Sequence, residues 1–181
     1  MGRVDNSGIK PFILPSIWTI NNFYSTMTRK VFNTLCDCHQ IADNIPFCLL
    51  GMLEKCYSGK MANMGMYGAM YTVGLRLPLM ELHRQLANYL NLFVNQITPN
   101  AWRIFIGAEV IWGQLSGGNC WLMLDKFFYC YKPQQISSSK GIYHFLTKKS
   151  LLKLASVMSD SNRNWKNRFL FFIFYFLFFL R

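Results

Sequence analysis

Apolar positions recur at helical spacing along the first two thirds of the chain and at strand spacing near its end. Met27, Val31 and Leu35 fall four apart, which predicts a helix from about Thr26 to Asp37 with one apolar face. Residues Ile41 to Gly65 read as loop, with Pro46, Gly51, Gly59 and a Tyr57-Ser58-Gly59-Lys60 turn, and Met64 to Val73 as a short helix stopped by Gly74. Pro78 suits a first helical position, and Leu79, Leu82, Leu86 and Leu90 follow as a stripe opposite Glu81, Arg84, Gln85 and Asn88. His83, beside Arg84, is expected on the solvated side of that helix. Thr98 is a capping residue and Pro99 a starting residue for a second helix to about Leu115. Its wide apolar face is Ala101, Ile104, Phe105, Ala108, Ile111, Trp112 and Leu115, and it ends at Gly117-Gly118-Asn119. A third, short helix is predicted from near Asp125 through Phe127, Phe128 and Tyr131, closed by Pro133.

Beyond Pro133 the texture changes. Ile136 to Lys140 is a Ser-rich turn, and Gly141-Ile142-Tyr143-His144-Phe145 alternates like a strand with His144 outward. Leu151 to Val157 and Trp165 to Leu170 are further strand candidates around the turn-forming Ser159-Asp160-Ser161-Asn162. These patterns predict an α+β protein: a mainly helical domain followed by a small antiparallel β-sheet or hairpin at the C-terminal side. Residues 1–24 form an irregular arm broken by Gly2, Gly8, Pro11 and Pro15, with Phe12, Ile13, Leu14, Ile17, Trp18 and Ile20 available to dock on a core. Residues 25–168 form the domain, helical to about 132 with strands after, and 169–181 a Phe-rich tail.

Charge changes this picture more than composition does. The 181 residues carry a net charge of +11, yet only 15% are charged, below the roughly 25% of an ordinary soluble domain. Residues 126–181 hold ten cations against one acid, Asp160, a net +9, which leaves +2 for the first 125 residues. Such a basic half suits phosphate backbones or anionic membrane surfaces, or serves as a solvated face that aids solubility. Aromatic and basic residues interleave there, from Lys126, Phe127, Phe128, Tyr129, Tyr131 and Lys132 through Lys140 and Tyr143. Most of these aromatics occupy core-like positions. Lys148, Lys149, Lys153, Arg163, Trp165, Lys166 and Arg168 are the candidate nucleic-acid-binding residues, with Trp165 available to stack on a base and the cations to follow phosphate.

Phe169 to Leu180 is an unbroken apolar stretch of 12 residues that holds seven of the chain's 16 phenylalanines, between Arg168 and Arg181. As a helix it would reach about 18 Å, short of the ~30 Å hydrocarbon core. It fits a buried strand or, as the minority reading, a membrane contact. Asn6 stands where a myristoylation signal wants Ser or Thr, and no secretory leader follows the start, so an intracellular chain, nuclear or cytoplasmic, is expected. The six cysteines are then expected as free thiols.

Recognised chemistry is scarce. Cys36-Asp37-Cys38-His39 lacks the second ligand pair of a zinc site, and no thiol is singled out as the partner of His39, His83 or His144. Leu115-Ser116-Gly117-Gly118-Asn119 lacks the spacing of a phosphate loop, and the eight acids are scattered. No enzyme activity, metal, cofactor or small-molecule substrate is expected.

Taken together, Gly74-Leu75-Arg76-Leu77-Pro78-Leu79, Ile97-Thr98-Pro99-Asn100-Ala101-Trp102-Arg103 and Ser161-Asn162-Arg163-Asn164-Trp165-Lys166 resemble the plant gypsy-type transposon domain, also called transposase of gypsy type. Leu124-Asp125-Lys126-Phe127-Phe128 and Gly141-Ile142-Tyr143-His144-Phe145 add to the match, which runs from about Pro11 to Arg168. The resemblance implies a retroelement-derived, gag-like, non-enzymatic module with nucleic-acid association through unspecific electrostatics, self-association, or a remnant without function. It supplies no catalytic residues. Relatives carry acids where Gly68 and Lys126 stand and continue well beyond the Trp165 segment, which implies a truncated copy whose tail lies outside the ancestral frame. The alternative is a small basic protein attached to a membrane through Phe169 to Leu180.

Overall fold

A computed structural model of the chain describes residues 24–41, 45, 47–48, 63–148 and 165–173. They form an α+β fold of five helices, a three-stranded antiparallel sheet and, toward the C-terminal side, a two-stranded antiparallel hairpin. The predicted strand at Leu151–Val157 and the arm before Tyr24 lie outside the described residues.

The first helix, α1 (Arg29–His39), starts where Thr28 Oγ1 accepts a hydrogen bond from the Val31 amide at 3.3 Å, and it ends at Gln40 in the left-handed region. Its inward residue is Phe32, 2% exposed and 3.8 Å from the Phe47 ring, one position off the Met27–Val31–Leu35 stripe. Of that stripe Met27 is buried in the core, Leu35 is half-buried against it and Val31 is exposed, and all three also wall a cleft. The rotation follows from where the sheet lies, which helical spacing alone does not encode.

Residues read as loop and short helix divide differently. Asn63–Tyr67 is a strand, β2, and Gly68–Thr72 a short helix, α2. The reason lies at the far end of the chain: β5 (Phe169–Ile173) pairs antiparallel with β2 on one side and with β1 (Phe47–Cys48) on the other. Tyr67 faces Phe169 in the register, and the Gly68 amide donates to the Arg168 carbonyl at 2.8 Å. A Cβ on Gly68 would stand 3.1 Å from Leu35 Cδ1, so the close approach of α2 to α1 uses the missing side chain. The first five residues of the Phe-rich tail are thus the central strand of a sheet. The strand expected at Trp165–Leu170 begins only at Phe169; its first residues are a 3₁₀ turn (Trp165–Asn167) that leads into β5.

Helix α3 (Glu81–Leu90) begins three residues after Pro78, whose preceding peptide bond is cis. Helix α4 (Pro99–Leu115) follows its sequence signals: Thr98 Oγ1 accepts from the Ala101 amide at 3.1 Å and Pro99 opens the first turn. Ala101, Trp102, Phe105 and Ala108 are buried, and Trp102 Nε1 donates to the Val94 carbonyl at 3.1 Å. The helix stops at Gly117 and Gly118, both at positive φ, with the Gly118 amide bonded to the Gly113 carbonyl.

Helix α5 (Leu124–Cys130) is shorter than predicted. Tyr131 turns extended, and Pro133, expected to close the helix, sits inside strand β3 (Tyr131–Ile136). Strand β4 (Ser139–Thr147) contains the predicted Gly141–Phe145 segment. Pro133 is tolerated because β3 is an edge strand, where one side of the backbone needs no ladder partner.

Candidate nucleic-acid interface

The β3–β4 hairpin is the element that gathers cations. From Tyr131 to Lys148 it carries Lys132, Lys140 and Lys148 and no acid at all. Four consecutive residues of β3, Lys132 to Gln135, are exposed, as are Lys140 and Lys148 and, just upstream on α5, Lys126. Among the described residues none of these four lysines has a carboxylate within ion-pair distance; the ion pairs there join Arg84 to Glu81 and His83 to Glu109.

One face of this hairpin fixes it to the protein. Tyr131 and Phe145 are buried, and the centroid of each ring lies 5.0 Å from that of Phe127, stacked and edge-on respectively. The Thr98 amide donates to the Tyr143 carbonyl at 2.9 Å, and the buried Gln96 side chain donates to the Gly141 carbonyl at 3.1 Å. Strand alternation puts Lys132 and Gln134 on one face with their cross-strand partners Leu146 and His144, but exposure follows the strand and not the face: Lys132 to Gln135 of β3 are all exposed, whereas β4 exposes only Lys140. His144 is half-buried, as are Tyr143 and Leu146, and Ile142 two positions before it is buried, so His144 is not the solvated strand residue that the alternation suggests.

The candidate residues chosen from the sequence divide. Lys149, Lys153 and Arg163 lie outside the described residues. Lys148 is exposed at the end of β4, its amide bonded to the Cys130 carbonyl at 2.9 Å. Lys166 Nζ donates to Ser139 Oγ at 2.8 Å, which ties the 3₁₀ turn to the start of β4, and burial lowers its pKa. Trp165 is half-buried with its ring edge-to-face against Tyr67 at 4.5 Å, so part of its stacking surface is used internally. Arg168 is exposed and, with Trp165, Met27, Val31 and Leu35, lines a cleft of about 240 Å³. Lys166 is therefore joined to the Ser139 end of the hairpin, Trp165 and Arg168 sit by the cleft beside α1 and α2, and Lys148 marks the far end of β4. The sequence reading missed Gln134 as a surface residue and Lys132 and Lys140 as members of one ribbon. The acid-free run from 131 to 148 is the signal in the sequence, obscured because Pro133 has the pattern of a helix stop.

A second polar arrangement is buried. His83 is 1% exposed, not solvated as its neighbour Arg84 suggested, because α4 packs over that side of α3. Its Nε2 lies 3.1 Å from Glu109 Oε2, its Nδ1 is buried without a partner, and the rings of Trp102 and Phe105 stand 5.7 and 5.9 Å away. Replacing Glu109 with Ala would orphan both ring nitrogens. We expect urea denaturation to show a loss of about 1–3 kcal/mol for Glu109→Ala and a smaller one for Glu109→Gln, which keeps a polar partner.

Among the described residues no three His, Cys, Asp or Glu side chains converge as a metal site would require, and no helix is long and apolar enough to cross a membrane. Comparison of the chain with known protein families, with curated proteins and with solved structures finds no match.

Proposed function

We propose that this chain is a non-enzymatic, nucleic-acid-associated module of the retroelement-derived, gag-like kind implied by its resemblance to the gypsy-type transposon domain. The observation that carries the reading is the acid-free hairpin, with β3 exposed from Lys132 to Gln135, whose exposed lysines have no carboxylate partner among the described residues. Unpaired cations on a rigid support release condensed counterions when they meet phosphates, and that release drives binding without base recognition. Arg168 is a further exposed cation, and Lys149, Lys153 and Arg163 add to the positive charge of this half of the sequence.

Fluorescence anisotropy with labelled oligonucleotides tests this directly. If three or four phosphates of a duplex are engaged, affinity falls roughly 40- to 150-fold between about 50 and 200 mM salt. Neutralising Lys132, Lys140 and Lys148 to Gln lowers the salt slope by about 1 for each lysine in contact. Binding that ignores salt, or no binding at low salt, removes the proposal.

A further inference from the structure

We infer that the exposed rings of Trp121 and Tyr129 stack on the bases of a single nucleic-acid strand whose phosphates meet Lys126, Lys132 and Lys148. The inference rests on the nucleic-acid reading above and deepens it by naming single-stranded DNA or RNA as the target and the surroundings of helix α5 as the place of contact.

Burial separates the aromatics that the fold uses from those it leaves open. Trp121 is 83% exposed and Tyr129 67%, and among the described residues neither meets another ring. Trp165, the stacking residue suggested by the sequence, has part of its ring against Tyr67. An indole in water keeps its apolar face unburied, and any base offers a flat partner for it.

The cations gather around Tyr129. Lys126 precedes it by three residues on the same face of α5, and Lys132 follows it by three near the start of β3. The Lys148 amide bonds the Cys130 carbonyl at 2.9 Å, which brings a third lysine to the residue after Tyr129. All three lysines are exposed and have no carboxylate partner among the described residues. The one acid of α5, Asp125, accepts the Lys126 amide on Oδ1 at 2.8 Å. Open rings beside unpaired cations suit a strand whose bases are unstacked. A duplex, with its bases stacked inside, can use only the cations. An apolar protein partner would use Trp121 together with Leu115 and Met123, which are also exposed, but would gain nothing from three lysines.

The backbone under both rings is fixed, so little freedom remains to be lost on binding. Before Trp121, Ser116 Oγ donates to the Cys120 carbonyl at 3.2 Å, and the residue after it, Leu122, is buried. Helix α5 is anchored by Phe127, whose ring centroid lies 4.8 Å from that of Phe105.

The test measures fluorescence anisotropy of the full chain with three labelled probes of about 16 nucleotides. They are an oligothymidine strand, a strand of abasic sites with the same phosphates, and the oligothymidine paired with its complement. At one low salt concentration the thymidine strand should bind at least about tenfold more tightly than the abasic strand. Trp121→Ala and Tyr129→Ala, both at exposed positions, should each lower thymidine-strand affinity at least about fivefold and leave abasic-strand and duplex affinities unchanged. Trp121→Phe, which keeps a ring face, should retain most of the affinity. Equal, salt-sensitive affinity for the thymidine and abasic strands would overturn the stacking inference while leaving phosphate binding intact. Undiminished thymidine-strand affinity in both alanine variants would overturn the assignment to these two rings. No binding to any probe at low salt would overturn both this inference and the reading it rests on. The abasic probe needs no variant, so the outcome does not hinge on how a substitution folds.

Discussion

A chain ending at Arg168 is expected to lose cooperative unfolding. Residues 169–173 are the central strand of the three-stranded sheet, and both neighbours, β1 and β2, pair with that strand and not with each other. Its removal deletes every ladder hydrogen bond of the sheet and leaves two unpaired edges. Phe169 is fully buried, 6.0 Å from the Tyr67 ring, and its carbonyl accepts from Ser25 Oγ at 2.5 Å. The truncation therefore also frees the segment leading into α1. Phe169→Ala isolates the packing part of the effect, for which a core Phe→Ala change costs about 3–5 kcal/mol. Against a total stability of about 5–15 kcal/mol, that single change consumes a large share and the truncation the rest. Thermal unfolding followed by circular dichroism reads both. A truncated chain that melts at the temperature of the full chain would show the tail to be an appendage.

Trp102→Ala is expected to be the most damaging single substitution in α4. Trp102 is the largest fully buried side chain among the described residues, and its ring meets both His83 at 5.7 Å and Phe105 at 6.3 Å. Truncation leaves a cavity between α3 and α4 and removes the indole donor to the Val94 carbonyl. A loss of about 3–5 kcal/mol follows from the cavity and transfer terms together. For a chain of this length each kcal/mol lowers the melting temperature by about 2–4 °C, so a fall of roughly 6–20 °C is expected. Trp102→Phe keeps most of the ring and loses the hydrogen bond, so it should cost clearly less. Equal melting temperatures for Trp102→Ala and the unaltered chain would show that the α3–α4 interface is not a closed core.

Legibility in the sequence followed the range of the interactions concerned. Helix α4 was readable because its cap, its opening proline, its apolar face and its glycine stop all lie within about twenty residues of one another. The hairpin was half readable. The alternation of Gly141–Phe145 announced β4, whereas β3 was hidden by a proline that only an edge position tolerates. Of the candidate interface, Lys148, Trp165, Lys166 and Arg168 were visible as charge and aromaticity. That Lys166 is tied to Ser139, and that Trp165 spends part of its ring on Tyr67, depended on contacts across the fold.

The sequence sets the local choices: where α4 begins and ends, that the chain mixes a helical body with a C-terminal hairpin, and that positive charge collects after residue 125. These depend on backbone preferences and on side chains a few positions apart, so a short window contains the cause. Tertiary structure decided that His83 is sealed beneath α4 and that α1 turns Phe32 inward. It also decided that Asn63–Tyr67 is a strand, because its partner lies more than a hundred residues away. Neither segment needs to be a strand alone. Each becomes one when the other satisfies its backbone donors and acceptors, and that pairing turns the first residues of an apolar tail into the middle of a sheet.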